Sequence, residues 1–219
     1  MLRLHNPGEY VAPTIFLDRD GVINENRTDH VKSWGEFRFI PGALHALRTL
    51  TQAGVRIFVV TNQAIINRGV VDRAVVDDIH ARMVAVAAQH DAIISAVRCC
   101  PHRPDEWCGC RKPHPGMLLG LAEEYGVDLD QAVMVGDALT DIAAGKAAGC
   151  RTVLVRTGRG AAQLALPEAR LYRPNAVARD LADAVDWYIA QEHLALPIPG
   201  MLVERAVGST TTAFPDRCM

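Results

Sequence analysis

Residues 132–155, AVMVGDALTDIAAGKAAGCRTVLV, decide the fold. AVMVGD is a short apolar run ending in a carboxylate, TDIAAGKAAG reads as a brief helix stopped by Gly149, and RTVLV is a second apolar run. Strand, helix and strand in so short a span form a βαβ unit, the building block of a parallel sheet. The alternation continues outward. TIFLD (14–18), RIFVVTN (56–62) and AIISAVRCC (92–100) are expected as strands. PGALHALRTLTQAG has Pro41 near a helix N-terminus, Leu44, Leu47 and Leu50 on one face, and Gly54 as its stop. The span 72–89 has Val76, Ile79, Met83 and Val86 at helical spacing. Pro115 opens a further helix, with Met117, Leu118, Leu121 and Tyr125 facing inward until Gly126. A last helix is expected over 180–192, where Leu181, Val185 and Tyr188 recur. The reading is an α/β fold with a Rossmann-like, doubly wound parallel sheet in one domain over 1–194. A poorly ordered tail, without period and rich in Pro, Gly and Thr, is expected over 195–219.

Composition narrows the function. The 219 residues suit one buried core, and 49% hydrophobic with 22% charged residues is ordinary globular usage. A net charge of −2, from 23 basic and 25 acidic residues with no Lys/Arg block, suggests neither a nucleic-acid footprint nor an anionic-membrane surface. No apolar run approaches the ~20 residues of a membrane span, and the first residues lack a signal-peptide core. The expectation is a cytoplasmic monomer acting on a small molecule, with its six cysteines reduced.

In doubly wound sheets ligands bind beyond the carboxyl ends of the strands. Those ends carry Asp18-Arg19-Asp20-Gly21, Thr61-Asn62-Gln63 and Gly136-Asp137, and the third strand leads to Arg111-Lys112. Carboxylates so close repel unless a cation neutralises them, and hard oxygen donors with open positions suit Mg²⁺ bound together with a phosphate. Asp18 can attack phosphorus, Thr61 and Lys112 can hold the phosphoryl oxygens, and Asp20 can donate and later accept a proton. Each part alone has a bland reading, since Asp-x-Asp occurs in turns and Gly-Asp in ordinary loops. Their joint placement at successive strand ends favours a phosphoryl site.

The segments DRDGVIN (18–24), TNQ (61–63), RKPHPGM (111–117) and VGDALTD (135–141) resemble the four motifs of the haloacid dehalogenase superfamily. CPH followed by CGCRKPHPG is similar to its subfamily of D-glycero-D-manno-heptose 1,7-bisphosphate 7-phosphatases and histidinol-phosphate phosphatases. The resemblance runs over about 14–160. It implies that Asp18 is a nucleophile forming an aspartyl-phosphate and Asp20 the general acid and base. Asp137 would hold Mg²⁺ with the Asp18 carboxylate and the Asp20 backbone carbonyl, while Thr61 and Lys112 stabilise the phosphoryl group. Substrate recognition would fall to Arg111, Asn62, Gln63 and the loop Asn26, Arg27, Thr28 and Asp29. No large cap domain is implied, and the stretch 24–40 is too short to be one. The implied reaction is Mg²⁺-dependent removal of the 7-phosphate from heptose 1,7-bisphosphate in nucleotide-activated heptose synthesis; histidinol phosphate is the alternative substrate.

One departure stands out: Ala138 occupies a position where heptose bisphosphate phosphatases commonly have Lys. Arg27, Arg111, Arg156 or Arg159 could compensate toward a second phosphate, although a solvated loop is the plainer expectation for Arg156 and Arg159. A receiver-like phospho-Asp switch would use a similar sheet. Receivers, however, put the phosphorylated Asp on a middle strand, whereas Asp18 follows the first.

Cys100-x-His102 and Cys108-x-Cys110 supply three thiolates and one imidazole, the complement of a closed tetrahedral Zn²⁺ site. With no position open to water, such a zinc is structural and forms a zinc-binding loop. Cys99 points to the opposite strand face from Cys100. His114 is expected to be exposed, and Cys150 and Cys218 to be thiols without function.

Overall fold

All four residues of β1 (Thr14–Leu17) are buried, and so are all four of β4 (Val133–Gly136). Such unbroken apolar runs belong to a parallel sheet covered by helices on both faces. The two strands pair in parallel, with Ile15, Phe16 and Leu17 beside Val133, Met134 and Val135. β2 (Arg56–Asn62) and β3 (Ile94–Cys100) extend the sheet on one side, β5 (Arg151–Val155) and β6 (Ala176–Ala178) on the other. The order is β3-β2-β1-β4-β5-β6, every pairing parallel. The computed structural model describes residues 12–192 and Leu194, so the tail expected over 195–219, with Cys218, lies outside the described residues.

The period of two along each strand sorts the core into two layers. Ile15, Leu17, Ile57, Val59, Val133 and Val135 face α1 (Ala43–Gln52), α2 (Arg73–Gln89) and α6 (Leu181–Glu192), meeting Leu47, Leu50, Ile79, Met83, Val185 and Tyr188. Their neighbours Phe16, Phe58, Val60 and Met134 face α3 (Gly116–Tyr125) and α4 (Leu139–Ala148), meeting Met117, Leu118, Leu121 and Ala144. The Phe16 and Phe58 rings stack at 5.6 Å in this second layer. Truncating a fully buried side chain such as Leu121 costs on the order of 2–5 kcal/mol.

Several details differ from expectation. Tyr125, at the last position of α3, is 37% exposed instead of inward, although its ring meets Phe58 at 5.0 Å; an amphipathic ring at a helix end can cover an apolar neighbour and keep its polar side in water. β6, the short α5 (Gly160–Leu164) and three 3₁₀ turns (Trp34–Glu36, Leu129–Gln131, Pro167–Arg170) were not anticipated. β3 starts at Ile94, two residues later than its apolar run. Between β1 and α1 the only helix is the 3₁₀ turn, seated by its Trp34 ring on Phe37 at 5.0 Å. No helix among the described residues is long and apolar enough to cross a membrane.

The sheet's direction of growth reverses between β1 and β4, which opens a crevice at their carboxyl ends. Receiver domains have a different order, 2-1-3-4-5, with the site at another strand.

Candidate active site

Asp18 and Asp137 directly follow β1 and β4, and an Asp18 N–H bond to the Val135 carbonyl (2.9 Å) ties the two ends together. Asp18, Asp137 and Asp141 are all buried, and each brings a carboxylate oxygen within 4.8 Å of the others. Into this cluster reaches the buried Lys112 ammonium, 2.9 Å from Asp18 Oδ1 and 2.7 Å from Asp141 Oδ1, also donating to the Val60 carbonyl at 2.7 Å. Burial pushes the Asp18 carboxyl up to about 6, with Lys112 opposing and Asp141 and Asp20 adding to the rise. Burial, then the Asp18 charge, also raises Asp137, against the pull of Arg159. For Lys112 burial disfavours the charge, but Asp141 and Asp18 outweigh it and hold the ammonium above its usual range. Carboxyls raised by burial and mutual repulsion are what a divalent cation relieves, and an all-oxygen donor set suits Mg²⁺. Asp18 and Asp137 therefore fit that ion.

Asp20 stands apart from this cluster. Its Oδ1 accepts from Arg19 Nη2 (3.0 Å), Arg19 Nε (3.3 Å) and Asn24 Nδ2 (2.9 Å), and its Oδ2 from Arg19 Nη2 (2.9 Å) and Gln63 Nε2 (2.7 Å). Burial works against its charge, but Arg19, Asn24 and Gln63 prevail and hold Asp20 below the usual carboxylate range. The side chain keeps 23% of its surface open to solvent, a path for proton exchange. Thr61, near the end of β2, is buried, and its hydroxyl accepts from Gln63 Nε2 at 2.9 Å.

The residues expected to touch substrate are more dispersed. Asn62 pairs with the main chain of Lys112, accepting its N–H at 3.1 Å and donating to its carbonyl at 3.0 Å. Gln63 bridges Asp20 and Thr61. Both amides are thus engaged with other protein groups, Lys112, Asp20 and Thr61. Arg111 donates to the His102 carbonyl at 3.0 Å. Asn26, Arg27, Thr28 and Asp29 are exposed, and Arg27 and Lys32 both pair with Asp29. That loop turns back at His30, a non-glycine residue with φ 65.

Two participants were not foreseen. Asp141 lies within the quoted VGDALTD, yet no role was read for it; it grips Lys112, and its Oδ2 accepts the Ala138 N–H at 3.0 Å. Arg159 is exposed, as a solvated loop residue would be, with 54% of its side chain accessible, yet it also meets the site: its N–H donates to Asp137 Oδ2 at 2.7 Å and its Nη2 lies 3.3 Å from Oδ1. The cause is the path of the loop over the strand ends. Thr157 Oγ1 donates to the Gly21 carbonyl at 2.6 Å, and Gly158 takes φ +56 where an added Cβ would sit 2.2 Å from Asp137 Oδ2. Arg156 is exposed, as expected.

Beyond β3, Cys100 Sγ lies 3.9 Å from Cys108 Sγ, 3.3 Å from Cys110 Sγ and 3.5 Å from His102 Nδ1. Cys110 Sγ lies 3.6 Å from Cys108 Sγ and 3.4 Å from His102 Nδ1. A tetrahedron with zinc–sulfur bonds of about 2.3 Å has edges of roughly 3.7 Å, so the set fits Zn²⁺. Contact with Cys110, together with His102 and Cys108, outweighs burial and brings Cys100 down to about 5. Cys99 is outside the cluster, burial pushing its thiol up to about 12, as happens also to Cys150. His114 is exposed.

Residues 109–184 match the HAD-hydrolase-like family model. The chain is 44% identical over 159 residues to a D-glycero-beta-D-manno-heptose-1,7-bisphosphate 7-phosphatase of Pseudomonas aeruginosa, covering 72% of this chain and 89% of the relative. It is 45% identical over 157 residues to the Bordetella bronchiseptica protein of the same name, covering 70% and 88%. A crystal structure of D,D-heptose 1,7-bisphosphate phosphatase from B. bronchiseptica, complexed with magnesium and phosphate, superposes with a TM-score of 0.75 at 40% identity, covering 81% of this chain and 98% of that one. With relatives this similar along nearly their whole length, the chain belongs to the D-glycero-β-D-manno-heptose-1,7-bisphosphate 7-phosphatase family of haloacid-dehalogenase-like hydrolases.

Proposed function

We propose that the protein hydrolyses the 7-phosphate ester of D-glycero-D-manno-heptose 1,7-bisphosphate through an aspartyl-phosphate on Asp18. The observation that carries this reading is the 44% identity over 89% of the length of the Pseudomonas aeruginosa phosphatase named for that reaction. The buried Asp18–Lys112–Asp141 geometry supports it. Asp18 attacks phosphorus while Asp20, which takes up a proton from solvent at its open edge against the pull of Arg19, delivers that proton to the departing C7 oxygen. Asp20 then takes a proton from the water that attacks the acyl phosphate, which frees inorganic phosphate and restores the Asp18 carboxylate. Lys112 and the Thr61 hydroxyl hold the phosphoryl oxygens. Mg²⁺, bound by Asp18, Asp137 and the Asp20 carbonyl, supplies charge neutralisation for the phosphate.

Arg111, Asn62, Gln63 and the 26–29 loop border the substrate in this reading, and Zn²⁺ on Cys100, His102, Cys108 and Cys110 is structural. The protein works as a cytoplasmic monomer, one domain over 1–194, in nucleotide-activated heptose synthesis, without nucleic-acid or membrane partners. The test is phosphate release with Mg²⁺ from both heptose bisphosphate anomers and from histidinol phosphate. Heptose 1-phosphate is the expected product; faster turnover of histidinol phosphate would overturn the assignment.

A further inference from the structure

The residue between the two aspartates has no role in the mechanism above, yet its side chain is the largest fully buried one among the described residues. Arg19 addresses both carboxylates. Its main-chain N–H donates to Asp18 Oδ1 at 2.7 Å, and its guanidinium reaches both oxygens of Asp20 through Nη2 and Nε. The remaining arm, Nη1, lies 3.0 Å from Nε2 of His80, itself wholly buried on α2. A guanidinium offers donors only and does not lose its proton, so Nε2 is the acceptor and the neutral ring carries its hydrogen on Nδ1. Burial, and then the Arg19 charge, hold His80 well below its usual pKa, which agrees with that form.

Burying an arginine completely is unfavourable unless its donors find partners, and a turn that needed only stability would be better served by an apolar residue. What the guanidinium adds is a rigid planar fork, which fixes a carboxylate in direction as well as distance. We infer that Arg19, backed by His80, is a positioning residue: the α2 imidazole orients the guanidinium, and the guanidinium aims the Asp20 carboxylate at the leaving-group oxygen. The inference deepens the reading of Asp20 as general acid and base and rests on it.

The test compares phosphate esters with graded leaving groups: 4-nitrophenyl phosphate, phenyl phosphate and heptose 1,7-bisphosphate. The parameter kcat/KM covers the steps through phosphoryl transfer to Asp18. A 4-nitrophenolate departs without a proton, whereas the sugar alkoxide needs one. Arg19→Gln and His80→Phe should lower kcat/KM for the heptose ester by tens of fold, within the ~10²–10⁴-fold that a general acid supplies. For 4-nitrophenyl phosphate the same variants should stay within about threefold of wild type. His80→Gln, which keeps an acceptor for Nη1, should recover most of the loss. Asp20→Asn sets the reference. If it is selective for the sugar ester and the Arg19 and His80 variants are not, the positioning role falls while Asp20 stands. If Asp20→Asn slows both esters equally, the acid assignment itself falls. Should Arg19→Gln fail to fold, the His80 pair decides: equal rates for Phe and Gln on every ester overturn the inference.

Discussion

Lys112 is the residue on which the site's charge balance turns. Its single positive charge lies between Asp18 and Asp141, with Asp137 a further buried carboxylate of the cluster. Three carboxylates against the Lys112 ammonium and the Arg159 guanidinium on Asp137 leave the cluster net negative, which a bound cation offsets. Asp18→Asn removes the proposed nucleophile and leaves the Asp141 pair to hold Lys112; no phosphate release should be measurable with any substrate, because a carboxamide does not form the acyl phosphate. Asp18 and Asp137 were legible as carboxylates directly after β1 and β4, and Lys112 as a cation on the segment that leads away from β3. Asp141 was harder to see: four residues past Asp137 and in the first turn of a helix, it has the position of an ordinary capping residue, and it does cap Ala138. Asn62 and Gln63 were placed at the site, but an amide serves substrate or protein equally well, and spacing cannot tell which.

Two loops do the positioning among the elements. The 100–110 segment ends immediately before Arg111 and Lys112, and the Gly116 N–H closes onto the Gly109 carbonyl at 3.0 Å, so disorder in one is felt in the other. Cys108→Ser should reduce bound zinc to a small fraction by elemental analysis and expose 101–109 to protease, with kcat/KM falling alongside. The second loop passes over the strand ends at Gly158, where an added methyl would meet Asp137 Oδ2 at 2.2 Å and Gly21 Cα at 2.5 Å. Gly158→Ala should cost on the order of 2 kcal/mol in denaturant unfolding and weaken Mg²⁺ binding by calorimetry, since it displaces the Asp137 carboxylate proposed to hold the ion. This loop was missed because its contacts are long-range, joining 157–159 to Gly21 and Asp137. β6 was missed because three residues cannot display a period.

At the scale of the molecule, the parallel topology was legible from strand–helix alternation, and the burial that topology enforces makes global stability depend on pH and metal together. Asp18 rises from 3.8 to about 6 on folding, so below about pH 4 both states hold its proton and its contribution is fully present. As pH rises through about 6 the native state must ionise it in a buried site, and about 2–3 kcal/mol is lost, roughly two units at about 1.4 kcal/mol each. In EDTA, unfolding free energies of wild type relative to D18N should therefore decline over this range, and the thermal upshift given by Mg²⁺ should grow from about pH 5 to pH 7.5. A flat difference would show that the carboxyl is not strained by burial. The paired bonds between the Asn62 amide and the Lys112 main chain carry the sheet's order one step past its last rung. Lys112 belongs to no helix or strand, yet its amide proton is closed off by a side chain rooted in β2, and its own ammonium is tied to the Val60 carbonyl. Deuterium should enter that amide no faster than it enters the central strands, on the timescale of whole-domain opening: a surface loop with the isotopic lifetime of the core.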